Sequence, residues 1–134
     1  MGEQENTTLV QQAYEHFKTG NIQALLRMCA GDIEWQLPEI ANVPFVGKRQ
    51  SREQVGQFFA SLGEEQEVLA FESKEFIAHG DKVVALGHYA WRVKSTGRRF
   101  EADWAHVFTV REGQIVRFQE YTDTAAAAAA YRKP

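Results

Sequence analysis

Four long segments with the composition of β-strands fill the second half of the chain, and only two or three residues separate each from the next. The segments are residues 68–78, 82–94, 98–110 and 114–122, joined by residues 79–81, 95–97 and 112–113. Connections this short force antiparallel neighbours, so the segments are predicted to form a meander. Strands of this length twist and curve strongly. The sequence therefore predicts a curved antiparallel sheet with a concave side.

The start of the chain predicts two helices. Apolar residues recur at helical spacing from Leu9 to Phe17, and Gly20 is placed to end this first helix. Asn21 can cap a short second helix. Both have an apolar face that needs a partner, and the concave side of the sheet is the natural one.

A short strand, a loop, a third helix and a terminal helix complete the prediction. The strand covers residues 33–37 and the loop residues 38–48, after which Ser51 and Gln54 form a capping-box pattern before a helix that Gly63 closes. Residues 125–131 are predicted to form the last helix, capped by Asp123 or Thr124. The result is an α+β fold, with the sheet wrapped around three N-terminal helices.

Size and composition limit the classes of function. At 134 residues, with 44% hydrophobic and 25% charged residues, the chain reads as one globular domain over residues 1–134. The net charge is −3 with no basic stripe, which argues against nucleic acid as a partner. A single cysteine, Cys29, and a polar start without a signal-peptide pattern predict a cytoplasmic protein. No apolar run approaches the length of a membrane span, so no membrane partner is expected.

His106 is the candidate functional residue that strand periodicity singles out. Residues alternate between the two faces of a strand, so His106 shares a face with Phe100, Trp104 and Phe108. A titratable imidazole in an aromatic surface is either a group that contacts a ligand and transfers protons or a buried structural histidine. Several other aromatic residues exceed what a small filled core needs and are predicted to line an apolar site: Trp35, Phe58, Tyr89, Trp91 and Trp104.

The register of the last strand decides which carboxylate accompanies His106. A two-residue turn at 112–113 would place Asp123 on the same face, together with Arg117, Gln119 and Tyr121. A three-residue turn with a glycine bulge would instead place Val116, Phe118, Glu120 and Thr122 there. The second set is more apolar at its start and is favoured. Both Glu120 and Asp123 therefore remain candidate catalytic residues beside His106.

No motif for a cofactor or a metal is visible. The sequence has no glycine-rich phosphate loop, and its His, Cys and carboxylate residues do not follow metal-ligand spacing. A cofactor-independent protein without a metal site is expected.

The order of elements and several short motifs resemble the nuclear transport factor 2-like superfamily, and within it the SnoaL-like polyketide cyclases and proteins related to ketosteroid isomerase. The resemblance covers nearly the whole chain. It implies a mixed sheet shaped like a cone around a cavity. It rests on the motifs GNIQAL at 20–25, GDIEW at 31–35, FVGK at 45–48 and GQIV at 113–116.

Residue by residue, the resemblance points away from ordinary ketosteroid isomerase chemistry. His106 falls where that family has a protonated, oxyanion-stabilising Asp, but Leu37 falls where it has the general base. The family's oxyanion-hole Tyr falls near Ala13, with Tyr14 one position away. Cyclases of the SnoaL type are expected to use an Asp near the end of the last strand, close to Asp123 here. Tyr14, Leu37, Phe108 and Phe118 join the predicted ligand-contacting residues.

Two functions fit these expectations. One is an isomerase or cyclase that transfers protons on a small hydrophobic, aromatic or polycyclic carbonyl compound. The other is a binding or accessory domain with the same cavity and no chemistry. A second titratable residue within hydrogen-bond reach of His106 inside the cavity would favour the enzyme.

A homodimer is expected as well. Parity places Leu86, His88, Ala90, Ala105 and Val107 on the outer, convex face of the sheet, and so apolar a face is rarely left in water. The family resemblance implies dimers of this kind too.

Overall fold

In the computed structural model, which describes residues 2–133, four helices and a six-stranded sheet form an α+β fold. The predicted fold class is confirmed. In chain order the elements are α1 Glu3–Lys18, α2 Ile22–Arg27, β1 Cys29–Gln36, β2 Lys48–Gln50, α3 Arg52–Glu65, β3 Gln66–His79, β4 Lys82–Val93, β5 Arg99–Arg111, β6 Gln114–Thr122 and α4 Thr124–Tyr131.

The strands form one mixed sheet in the order β2-β1-β6-β5-β4-β3. The meander of β3 to β6 is antiparallel throughout, as the short connections predict. β1 lies beside β6 and is parallel to it, so an early strand of the chain pairs with the last one. β2 was not predicted; its three residues pair antiparallel with β1.

The helix ends follow the predicted capping residues with two differences. Gly20 has a φ of 77° after α1, and the Asn21 side chain accepts a hydrogen bond from the Ala24 amide. Ser51 caps α3 by accepting from the Gln54 amide at 3.2 Å. The Gln54 side chain, however, accepts from Gln50 rather than Ser51, so the capping box is only half formed. α3 also continues beyond Gly63 to its last residue, Glu65.

The sheet bends around α1 and α3, which cover its concave side. β3 contains two register shifts, between Val68 and Ala70 and between Ser73 and Glu75, and such bulges increase the local twist of a strand. Leu37, Trp104 and His106 are all buried, with Trp104 and His106 on this inner side as predicted. None of the helices in residues 2–133 is long and apolar enough to cross a membrane.

The turn into β6 differs from the favoured prediction, although the predicted inner face is correct. Glu112 and Gly113 have φ values of 50° and 75°, as in a two-residue turn of type I′, and Arg111 pairs with Gln114. The register then shifts between Thr109 and Val110. Val116 is the extra residue of this bulge, and it turns Phe118 and Glu120 towards the concave side.

Candidate functional site

The concave side encloses an elongated, mostly apolar cavity of about 100 Å³, the space open to the centre of a water molecule. Phe100 and Phe108 both line it although they are eight residues apart on β5, a distance of roughly 26 Å in an extended strand and less in a curved one. The predicted ligand-contacting residues that line the cavity are Tyr14, Trp35, Leu37, Phe58, Tyr89, Trp91, Phe108 and Phe118.

The prediction that Trp104 lines the cavity is wrong, because Trp104 packs behind His106 and is not among the cavity-lining residues. Its indole stacks on the His106 ring with 4.0 Å between ring centroids and an interplanar angle of 16°. Trp104 can lie flat against β4 because the facing residue is Gly87. A Cβ at that position would overlap the Trp104 ring and the Glu72 carbonyl oxygen. The ring thereby holds the imidazole in one orientation.

The His106 ring is hydrogen-bonded on both sides. Its Nδ1 lies 2.6 Å from the Tyr14 hydroxyl, and its Nε2 lies 2.9 Å from a Glu120 carboxylate oxygen. The side chains of His106 and Glu120 are only 6% and 11% exposed. The three residues come from α1, β5 and β6, and they are called the Tyr14–His106–Glu120 relay below. Glu120, rather than Asp123, is therefore the carboxylate partner of His106.

Backbone register sets this geometry. His106 and Glu120 are directly opposite each other across β5 and β6, where paired side chains lie close together. Tyr14 arrives from α1, whose buried face includes Val10, Ala13 and Tyr14. The Tyr14 ring packs against Trp104 and Phe108 as well as His106. All three members of the relay line the cavity.

The hydrogen bonds of the relay assign a donor and an acceptor to each pair of atoms. A carboxylate has no proton to give, so ionised Glu120 accepts from the Nε2–H of His106. Neutral His106 then has its lone pair on Nδ1, where it accepts the proton of the Tyr14 hydroxyl. When His106 is protonated, Nδ1–H donates to the Tyr14 oxygen, and the hydroxyl proton is free to point into the cavity. The relay thus has two charge states that differ by one proton.

Burial keeps the tyrosines of the site protonated. Burial, and secondarily the negative charge of Glu120, raises the pKa of Tyr14 well above its ordinary value. The same two effects raise the pKa of Tyr89, whose hydroxyl donates to the Thr122 hydroxyl at 2.7 Å. Tyr89 and Thr122 also line the cavity. They extend the polar wall of the site from the relay towards the end of β6.

Asp123 is not part of the site, which corrects its prediction as a catalytic residue. It is exposed, and its carboxylate accepts a hydrogen bond of 3.0 Å from the Ala126 amide as the N-cap of α4. Leu37 does line the cavity and brings no acid or base to the position where a general base was sought. Within residues 2–133 no group of three or more His, Cys or carboxylate side chains is arranged to hold a metal ion.

One contact and several cavity-lining residues could not be predicted from the sequence pattern. Tyr14 was expected to contact ligand, but its bond to His106 joins residues 92 positions apart, and local pattern carries no signal for such a contact. Some unpredicted cavity-lining residues lie in the loop predicted at 38–48 and at the start of β3, where neither helix nor strand periodicity marks a face. These are Ile40, Val43, Phe45, Val46 and Gln66.

A family model described as a SnoaL-like domain matches residues 10–118 of the chain. A solved NTF2-like protein from Burkholderia xenovorans is 34% identical, with 98% of this chain and 99% of that one covered and a TM-score of 0.89. Another from Burkholderia thailandensis is 30% identical, with 95% and 97% covered and a TM-score of 0.86. TerC, co-crystallised with polyporic acid, is 24% identical, with 95% and 98% covered and a TM-score of 0.83. No curated protein matches the chain.

Proposed function

Since the chain belongs to the SnoaL-like domain family, we propose that its cavity binds a small aromatic molecule bearing a carbonyl or hydroxyl oxygen and that the Tyr14–His106–Glu120 relay moves a proton on it. The observation that carries this proposal is the unbroken hydrogen-bonded relay in the wall of an otherwise largely apolar cavity. The co-crystal of TerC with polyporic acid supports it by analogy of fold alone.

Proton transfer would begin at the Tyr14 oxygen. As that oxygen accepts a proton from the ligand, the hydroxyl proton passes to His106 Nδ1. In the resulting imidazolium both ring nitrogens donate, Nε2–H to the Glu120 carboxylate and Nδ1–H to the Tyr14 oxygen. Because the raised pKa of Tyr14 disfavours a free tyrosinate, the two transfers are coupled. Return of the proton to another atom of the ligand completes an isomerisation.

A binding domain without chemistry is the second candidate. The observation that favours it is the apolar Leu37 in the cavity wall, at the position where a general base would be needed. The one carboxylate among the described cavity-lining residues is Glu120, and it is already bonded to His106. If no group in the cavity can accept a proton directly from a carbon atom, the relay would only anchor the oxygen of a ligand.

Exchange of carbon-bound protons for deuterium distinguishes the two candidates. We expect the protein to accelerate exchange at the carbon between the ring and the carbonyl of β-tetralone in D2O, followed by NMR. Tyr14→Phe and His106→Gln should slow the protein-dependent exchange about 100-fold or more, because general acid–base catalysis contributes roughly that much. Exchange at the buffer rate, despite a ligand-induced rise in Tm, would support the binding domain instead.

His88→Gln is the matched control. His88 also hydrogen-bonds a carboxylate, that of Asp103 at 2.8 Å, but it lies on the outer side of β4 away from the cavity. Its loss should leave exchange unchanged. His106→Gln is also expected to lower the free energy of unfolding by about 1–3 kcal/mol, because it leaves buried polar groups poorly paired. Urea midpoints measured on both variants therefore separate loss of activity from loss of folded protein.

A further inference from the structure

Gln66 is a buried polar residue of the cavity that the relay does not use. It is the first residue of β3, only 7% exposed, and lies opposite Val93 on β4. Its Oε1 accepts a hydrogen bond of 3.1 Å from the hydroxyl of Tyr131, the last residue of α4. The terminal helix thereby fixes the orientation of the Gln66 amide.

The amide nitrogen of Gln66 has no hydrogen-bond partner among residues 2–133. Nor is it one of the fully enclosed polar atoms without a partner, which belong to Trp35, Arg49 and Trp104. The nitrogen is therefore not fully enclosed by protein, and the residue lines the cavity. Because the Tyr131 hydroxyl holds the amide oxygen of Gln66, the amide nitrogen has a fixed position from which it can donate a hydrogen bond to an oxygen atom of a ligand.

Gln66 and His106 lie towards opposite ends of the cavity. On β4, Val93 pairs with Gln66 and Ala85 pairs with His106, so eight residues of one strand separate the two positions. Apolar and aromatic side chains, among them Phe71 and Trp91, line the cavity with them. A ligand that contacts both polar ends must therefore be longer than a single ring and apolar in its middle.

We propose that Gln66 is a specificity-determining residue that selects an elongated aromatic ligand with an oxygen at each end. One oxygen contacts the Tyr14 hydroxyl of the relay, and the other accepts a hydrogen bond from the Gln66 amide nitrogen. This assignment rests on the proposed function, because it takes the relay as the first anchor. It adds the chemical character of the far end of the ligand.

Two matched probes test the assignment by isothermal titration calorimetry on the intact protein. They are para-phenylphenol, with a hydroxyl at one end, and para,para′-dihydroxybiphenyl, with a hydroxyl at both ends. We expect the wild type to bind the dihydroxy probe about 5-fold more tightly, the worth of one typical hydrogen bond. Gln66→Leu should bring the ratio of the two affinities to about one by weakening only the dihydroxy probe.

Gln66→Met, closer in shape, repeats the test if the leucine variant does not fold, and Gln57→Leu, at an exposed position on α3, is the control. An affinity ratio that stays the same in both Gln66 variants, or a wild type that does not distinguish the probes, would overturn the assignment. His106→Gln should weaken both probes alike. If it changes neither, the proposed function fails while the Gln66 result still stands by itself. Absence of binding of either probe by the wild type would contradict both.

Discussion

The hydrogen bonds of the His106 imidazole connect three side chains, those of Tyr14, His106 and Glu120, and the position of each depends on the other two. Without Glu120 the Nε2–H of His106 would lose its acceptor, and without Tyr14 the Nδ1 atom would lose its donor. Trp104 fixes the plane of the ring, and Gly87 makes room for Trp104. The orientation of the His106 side chain is therefore fixed from three sides before any ligand enters. Such preorganisation would favour the proposed proton transfer.

Alkaline pH should destabilise the protein through groups that are buried in protonated form. Burial raises the pKa of Cys29 from 9.0 to about 12 and the pKa of Tyr14 above 10.0. The unfolded chain loses these protons first, so the contribution to stability is complete below pH about 9 and declines as the pH rises towards 12. The urea unfolding midpoint should therefore be lower at pH about 10.5 than at pH about 8.

Cys29→Ala tests the cause of that decline. The thiol is fully buried, with Sγ 3.6 Å from the Leu25 carbonyl oxygen. The alanine variant should be less stable at every pH because it leaves a small cavity. Its unfolding midpoint should nevertheless fall less between pH about 8 and about 10.5 than that of the wild type. An equal fall in both proteins would show that the thiol does not contribute.

Strand periodicity was a good guide to single residues and a poor guide to their partners. Alternation alone placed His106 and Phe108 on the concave side, because an aromatic face needs burial. The same reasoning put Trp104 in the cavity, although stacking on His106 keeps it behind the ring. Period 2 tells which face a side chain occupies, but only the packing of α1 against the sheet brings Tyr14 to His106.

At the scale of the element, the bulge at Val116 determines which face of β6 meets the relay. The sequence predicts either an extra residue within the turn or a two-residue turn with no extra residue. The structure combines the two-residue turn with a bulge beyond it, so that Glu120 still lies opposite His106. Sequence pattern could not separate these arrangements, because an extra residue in the turn or just after it gives the rest of the strand the same parity.

Two single-residue deletions in β6 should therefore have opposite consequences. Deletion of Val116 removes the bulge and lets Arg117 continue the ladder opposite Thr109, so Glu120 should still face His106. Deletion of Gln119 should turn Glu120 outward and bring Tyr121 opposite His106. We expect the first variant to retain deuterium exchange activity within about 10-fold and the second to lose it, with circular dichroism confirming that both fold. Equal activity of the two would contradict the role of the bulge.

At the scale of the whole molecule, the convex face of the sheet remains the predicted dimer interface. Leu86 lies opposite Ala105, and Val107 opposite Val84, on the outer side of β4 and β5. All four are at least partly buried within one chain. Burying such a face twice over in a symmetric dimer would remove its remaining apolar surface from water.

Light scattering should give twice the 15.2 kDa mass of one chain. Leu86→Glu should yield a folded monomer, because it would bury an unpaired carboxylate in each half of an apolar interface. Ala125→Glu, at an exposed position on α4, is the control and should stay dimeric. A wild-type mass of one chain at every micromolar concentration would contradict the dimer.

The parallel pairing of β1 with β6 has a consequence for the order in which the chain can assemble. β1 finds an early partner in β2, but its other edge stays open until the last strand arrives, about 80 residues later, and closing so long a loop is entropically slow. The last strand, β6, also supplies Phe118 and Glu120. During synthesis on a ribosome, the first three helices and the strands up to β5 therefore emerge before the residues of β6 that complete the cavity wall. The Tyr14–His106–Glu120 relay is thus among the last features of the fold that the nascent chain can form.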